Sequence, residues 1–119
     1  MEILTLDFET YYSKDYSLSK LTTEEYVRDS RFEVIGVAVK KSSFAKGRNY
    51  HHRDAAGPMW CTGSKKQIAK FLSQFDWSNS VAVAHNAMFD MAILNWHFGI
   101  KPKKIADTLS MSRALHAIE

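Results

Sequence analysis

The chain has one cysteine, two prolines and five glycines in 119 residues. A lone Cys61 excludes an intrachain disulfide and fits a reducing compartment, the cytosol. Paired-thiol and histidine zinc motifs are excluded too, because no C-x₂-C or H-x₃-H spacing occurs around His51, His52, Cys61 or His85. No glycine-rich phosphate loop, Ser-His-Asp arrangement, linker, internal repeat or low-complexity tract is present. The chain therefore reads as one domain, 1–119, large enough for a real core. Met1-Glu2-Ile3-Leu4-Thr5 lacks the basic segment that precedes the apolar part of a secretory signal. The most apolar stretch, 81–100, is interrupted by His85, Asn86, Asp90, Asn95, His97 and Gly99, which argues against membrane insertion.

What is present is globular: 45% of residues are hydrophobic and 13% aromatic. The net charge is only +3, but it is unevenly spread. Residues 1–33 carry eight acids against four bases, whereas 40–53 hold five bases and no acid, with His51 and His52 among them. Two readings of that asymmetry stand. An acidic locus beside a basic stretch suits a metal site that receives a polyanion. A solvated hairpin whose lysines serve solubility accounts for the basic stretch equally well.

Hydrophobic periodicity predicts a buried strand over 2–8 and a polar loop carrying Tyr11, Tyr12 and Tyr16. A short helix follows, opened by Thr22 and Glu25 at capping-box spacing. The β-branched run 32–39 predicts a second strand, and 40–58 a turn region forming a hairpin that leads to a third strand around 59–62. Ser64 and Gln67 form another capping box ahead of a helix with Ile68, Phe71, Leu72 and Phe75 on its apolar face. A short buried strand at 81–84 leads into an apolar helix over 87–98 that Gly99 stops. A last strand at 103–106 and a terminal helix capped by Asp107 complete the chain. The order predicts an α/β fold, a mixed sheet flanked by helices. Trp60, Trp77 and Trp96 are expected in or near the core. The loop tyrosines have two readings, base stacking or packing of the loop itself.

Two acidic positions carry chemistry. Asp7 and Glu9 lie at alternate positions of the first strand and so share one face, while Leu4, Leu6 and Phe8 fill the other. Two carboxylates held 4 Å apart repel by about 4 kcal/mol at an effective dielectric near 20, and a divalent cation relieves that. A solvated strand end tolerates the same pair. Asp90 is the only formally charged residue of 81–100. A carboxylate there must be paired, protonated or bound to a cation. It either caps its helix or pairs with Arg113, or it belongs to a site at the strand-to-helix junction, where α/β sheets place them.

Asp7-Phe8-Glu9 on a first strand, with His85-Asn86-Ala87-Met88-Phe89-Asp90 opening a later helix, resembles the first two motifs of the DEDD 3′→5′ exonucleases. Those are proofreading nucleases of ribonuclease H-like fold. Asp107-Thr108-Leu109 and Arg113-Ala114-Leu115 are similar to the segment that follows. Tyr11-Tyr12-Ser13 and Tyr26-Val27 resemble the exonuclease domains of bacteriophage DNA polymerases, and the likeness spans essentially the whole chain.

The resemblance implies two bound Mg²⁺ or Mn²⁺ ions, held by Asp7, Glu9 and Asp90 as the catalytic ligands. Asp7 would bridge both ions, Glu9 the hydrolytic one, and Asp90 the other. It implies Phe8 and Thr10 backbone groups, with His85, Asn86 and Phe89, around the 3′ end of single-stranded DNA. Asp107 aligns as well but reads as a helix cap. A polymerase or a complementing chain is the implied partner, and the cytoplasm, a host's if phage-encoded, the implied location.

One departure matters. The family's third motif, a Tyr or His followed by a fourth Asp, has no counterpart: twelve residues follow Asp107 and none is aspartate. The expectation is a C-terminally incomplete ribonuclease H-like domain that hydrolyses DNA poorly by itself. A non-catalytic protein of the same fold that binds DNA or a replication partner is the alternative. A ribonuclease H-like domain acting on RNA is another. Sheet surface left uncovered by the missing helices would form an apolar patch on the order of several hundred Å², favouring self-association or pairing with another chain.

Overall fold

Along residues 2–10, Leu4, Leu6 and Phe8 are buried while Thr5, Asp7 and Glu9 are exposed, the alternation of a strand with one covered face. This strand, β1 (Glu2–Thr10), organises everything else. The structure, a computed structural model, describes residues 2–45, 51–54 and 57–116, with 44–45 and 51–54 described as backbone only. After β1 come α1 (Thr23–Arg28), β2 (Val34–Ala45), β3 (His51–Asp54), β4 (Met59–Thr62) and α2 (Lys65–Leu72). β5 (Ser80–Ala84), α3 (Ala87–Phe98), β6 (Lys104–Asp107) and α4 (Thr108–His116) follow.

The sheet runs β3-β2-β1-β5-β6, with β4 sharing the outer edge of β2 with β3. β2 lies antiparallel to β1, with Val39 opposite Leu6 and Val37 opposite Phe8. The register slips between Glu9, which faces Gly36, and Thr10, which faces Val34. Ile35 is the extra residue of that bulge, the kind of irregularity that re-aims a strand end. On its other side β1 is parallel to β5, and β5 to β6. The β1–β5 pairing extends only from Glu2 opposite Ser80 to Thr5 opposite Val83. The last residues of β1 therefore run on without a strand beside them on that side.

The architecture is an α/β mixed sheet with helices against it, and one core joins them. Tyr26 and Val27 of α1, Ile68 and Leu72 of α2, and Ile93 and Leu94 of α3 pack in one buried cluster with Leu4, Leu6, Phe8, Val37 and Val39. On the face of Asp7 and Glu9, Ile3, Val81 and Val83 are half-buried and Trp60 is exposed. None of the described residues of α4 is buried. No helix among the described residues is long and apolar enough to cross a membrane.

Local signals explain the helix ends. Thr22 and Ser64 accept from the backbone of Glu25 and Gln67, whose side chains reach back to the cap amides, so both capping boxes form. Gly99 closes α3 in the left-handed region at φ 65° and donates to Asn95 and Leu94. The second strand is longer than 32–39, because β2 continues to Ala45 and pairs antiparallel with β3, which agrees with a hairpin in 40–58 but gives it longer paired strands. Residues 46–50 and the side chains of His51, His52 and Arg53 lie outside the described residues. Only Trp77 of the three tryptophans is in the core; Trp60 and Trp96 are 54% and 41% exposed. Tyr16 is fully buried, stacked between Tyr11 and Tyr26, so it packs the loop and cannot stack on a base.

Gly36 is where a side chain would crowd the sheet. A Cβ there would lie 3.0 Å from the Cys61 carbonyl oxygen, 3.0 Å from Trp60 Cζ2 and 3.1 Å from Thr62 Cγ2. Gly36→Val is expected to destabilise the chain by about 1–3 kcal/mol through overpacking, seen as a lower thermal midpoint. Adding Trp60→Ala should restore little of it, because the Cys61 carbonyl belongs to the β4 backbone and cannot swing aside.

Candidate functional site

The end of β1 has a free side, and Phe8 sits on it. Its amide has neither β2 nor β5 to bond, and a buried N–H without a partner costs about 1–3 kcal/mol. Asp90, in the first turn of α3, supplies the acceptor: the Phe8 N–H donates to Asp90 Oδ1 at 3.1 Å. Asp90 is only 3% exposed. The acceptor is thus a buried carboxylate docked on the peptide group between Asp7 and Glu9, whose own side chains are exposed on the opposite face from Phe8. The link to Arg113 that the sequence allowed gives way to this backbone contact.

The electrostatics bind the three acids together. Burial, above all, pushes the Asp90 carboxyl up to about 7; the negative charges of Asp7 and Glu9 push the same way, against the Phe8 hydrogen bond and the helix's own backbone. The two strand acids are therefore close enough for Asp90 to feel both. They do not form a closed cage with it. Among the described residues, no group of three or more His, Cys, Asp or Glu side chains is arranged to hold a metal ion. Where β1 parts from β5, a cleft of about 450 Å³ opens, with Asp7, His85 and Thr108 in its walls. It lies at the C-terminal ends of parallel strands, the usual binding edge of an open α/β sheet.

The remaining predicted residues divide clearly. His85 is exposed and its Nδ1 lies 3.0 Å from Thr108 Oγ1. Asn86 is the one non-glycine residue with positive φ among the described residues, at φ 62°. It turns the chain from β5 into α3, and its side chain does not cap that helix. Phe89 is half-buried against Tyr26, ring centroids 5.8 Å apart. The Phe8 ring is buried and stacks on Phe98 at 6.0 Å. Its amide, expected to face a nucleotide, is taken by Asp90. The Thr10 hydroxyl lies 2.9 Å from that of Tyr26.

Asp107 caps α4 as its sequence position suggests, accepting from the Leu109 amide at 3.0 Å and from the Ser110 hydroxyl at 3.0 Å. It also accepts from the Asn86 amide at 2.9 Å, a contact across 21 residues that sequence reasoning missed. The one available signal was an Asn at a strand-to-helix junction, since Asn enters the left-handed region more readily than most residues.

No protein-family model matches the chain, and no curated protein or solved structure matches it.

The raised Asp90 pKa has a definite sign for stability. The folded chain keeps this proton to about pH 7, whereas the unfolded chain releases it near 3.8. The Asp90 contribution is therefore fully present below the unfolded value and is lost as pH rises through the folded one, by at most about 4 kcal/mol. Asp90→Asn keeps an acceptor for Phe8 and removes the charge. Thermal melts should show the variant modestly above the parent at about pH 5, and the gap wider by several degrees at about pH 8. A parent whose melting point does not fall between those pH values relative to the variant would contradict the assignment.

Proposed function

We propose that this chain is a ribonuclease H-like exonuclease domain of the metal-dependent 3′→5′ type, acting on phosphodiester bonds at a single-stranded DNA 3′ end. The observation that carries the reading is the docking of Asp90 on the Phe8 amide, which brings a sequence-distant acid to the strand end that carries Asp7 and Glu9. The open cleft beside Asp7 supports it, being where an extended strand could enter.

The donor set suits the ions that this chemistry uses. Carboxylate oxygens select hard divalent cations such as Mg²⁺ and Mn²⁺. Two such ions, when bound, clamp the attacking and leaving oxygens of an in-line displacement. On this reading Asp7 and Glu9 offer both carboxylates from the exposed strand face, free to turn. Asp90 offers the oxygen that the Phe8 amide leaves over, and that amide fixes its direction. Because Asp90 holds a proton to about pH 7, cation binding displaces it and must strengthen with pH.

A second reading keeps the fold without the catalysis: a non-catalytic exonuclease-fold protein that binds DNA or a replication partner. It is favoured by the open spacing of the acids, which among the described residues form no group arranged to hold a metal ion.

Two measurements decide between them. Calorimetry with Mn²⁺ at about pH 8 should show binding that weakens about tenfold or more in Asp90→Asn, as expected when one carboxylate ligand is lost. Single-stranded DNA should be hydrolysed slowly, faster than a matched RNA, and not at all by Asp7→Ala. Undetectable Mn²⁺ binding would overturn the metal-site reading. Rapid hydrolysis that survives Asp7→Ala would overturn the assignment of the acids.

A further inference from the structure

Two corners of the chain meet beside Asp90. The first is the turn from β5 into α3, Ala84 to Ala87; the second is the turn from β6 into α4, Asp107 to Ser110. β5 and β6 are parallel neighbours with Ala84 opposite Asp107, so both turns leave the same edge side by side.

The first corner cannot cap itself. The opening amides of an α-helix have no partner within it, and the residue before the helix usually supplies one from its side chain. Asn86 sits at φ 62°, ψ 62° and its side chain makes no such bond. The second corner supplies what is missing. Asp107 Oδ1 accepts from the Asn86 amide at 2.9 Å and from the Leu109 amide at 3.0 Å, while Oδ2 meets the Ser110 hydroxyl at 3.0 Å. Thr108 adds a hydroxyl contact to the Ala84 carbonyl at 3.4 Å and to His85 Nδ1 at 3.0 Å. Each residue of the first corner from Ala84 to Asn86 is thereby held by the second.

We propose that Asp107 is a positioning residue for Asp90: its one carboxylate spans the starts of two helices, fixes the left-handed Asn86 turn, and so sets α3 where Asp90 reaches the Phe8 amide. Asp90 is four residues beyond Asn86, one helical turn along a rigid element. At 3.1 Å the Phe8 bond is near the long end of the normal range, and a displacement of α3 by about 1 Å would break it. Asp107 stays ionised to do this. Burial alone would raise its carboxyl, but bonds from the Ala87 amide, the Ser110 hydroxyl and the Leu109 and Asn86 amides hold it below the usual range.

The role of Asp107 in placing Asp90 stands on geometry; its consequence for cation binding rests on the proposed function. Amide hydrogen exchange of the full chain separates the two. In Asp107→Ala the Phe8 amide should exchange about tenfold faster relative to the Val37 amide, because local release exposes Phe8 while the core strand stays paired. Asp107→Asn keeps one acceptor oxygen, so the selective increase should be smaller, about two- to fivefold. Ser110→Ala removes the bond to Asp107 Oδ2 but leaves the Oδ1 that holds Asn86, and should accelerate Phe8 far less than Asp107→Ala. If Asp107→Ala does not fold, the Asn variant supplies the same readout. Equal acceleration of Phe8 and Val37, or none at Phe8, in the variant that folds overturns the proposal. Mn²⁺ titration of the same samples adds the second readout, and weaker binding in step with Phe8 exposure supports both ideas. Selective exposure of Phe8 in a chain that does not bind Mn²⁺ supports the positioning role and sinks the nuclease reading alone.

Discussion

The hydrogen bond from the Phe8 amide to the Asp90 carboxylate is the contact on which the arrangement of this end of the molecule depends. It exists because β1 outruns β5, leaving a strand amide facing the protein interior with no ladder partner. A buried amide without an acceptor and a buried carboxylate without a donor are each costly. Together they satisfy one another in part. The amide stabilises the anion, yet desolvation is the larger influence, and the carboxyl ends with its pKa raised to about 7. Neutral pH thus falls on the titration of a group that no solvated aspartate would present there.

That contact is only as firm as the helix that delivers it, and α3 is fastened at both ends. At its C-terminal end Phe98 stacks on Phe8, and His97 both meets the Val27 carbonyl at 2.8 Å and stacks on Phe32 with ring centroids 4.4 Å apart. The Arg28 guanidinium lies 4.1 Å over the Trp96 ring, adding a cation–π contact from α1. At its N-terminal end the restraint is polar, through the Asn86 turn. Apolar packing sets the tilt of the helix and hydrogen bonds set its start, so Asp90 is placed by both.

Much of this was legible in the sequence, for reasons that are local. Thr22 with Glu25, Ser64 with Gln67, and Gly99 after an apolar run state their helix boundaries within a few residues, and the helix over 87–98 forms as read. Alternation in β1 is equally local, and it puts Asp7 and Glu9 on the exposed face. What could not be read depends on contacts between distant segments. Nothing near Phe8 reveals that its amide lacks a strand partner, because that follows from where β5 stops. Trp60 and Trp96 are exposed, although large aromatics usually bury much of their surface, and the Arg28 guanidinium over the Trp96 ring comes from a helix far away in the sequence. Asp107 was readable as a cap for the helix it precedes, but its bond to Asn86 requires β5 and β6 to be neighbours.

The three acids meet at one end of the sheet against their own repulsion. Ionised carboxylates at contact repel by several kcal/mol unless water or a countercharge intervenes. Asp7 and Glu9, on an exposed strand face, lower that energy by turning to solvent. Asp90 has no such freedom, since helix packing and the Phe8 amide hold it inside, and it lowers the energy by keeping a proton instead. An exposed pair and a third acid whose carboxyl is raised chiefly by burial, and further by that pair, thus share one end of the sheet. On the proposed reading a divalent cation reverses every part of this. Asp7 and Glu9 would share its positive charge, and Asp90 would give up its proton to do the same, so that the repulsion among the three would be relieved. Tightness measured without that charge is therefore a poor guide to function here. The informative quantity is how strongly the carboxylates respond when the charge arrives.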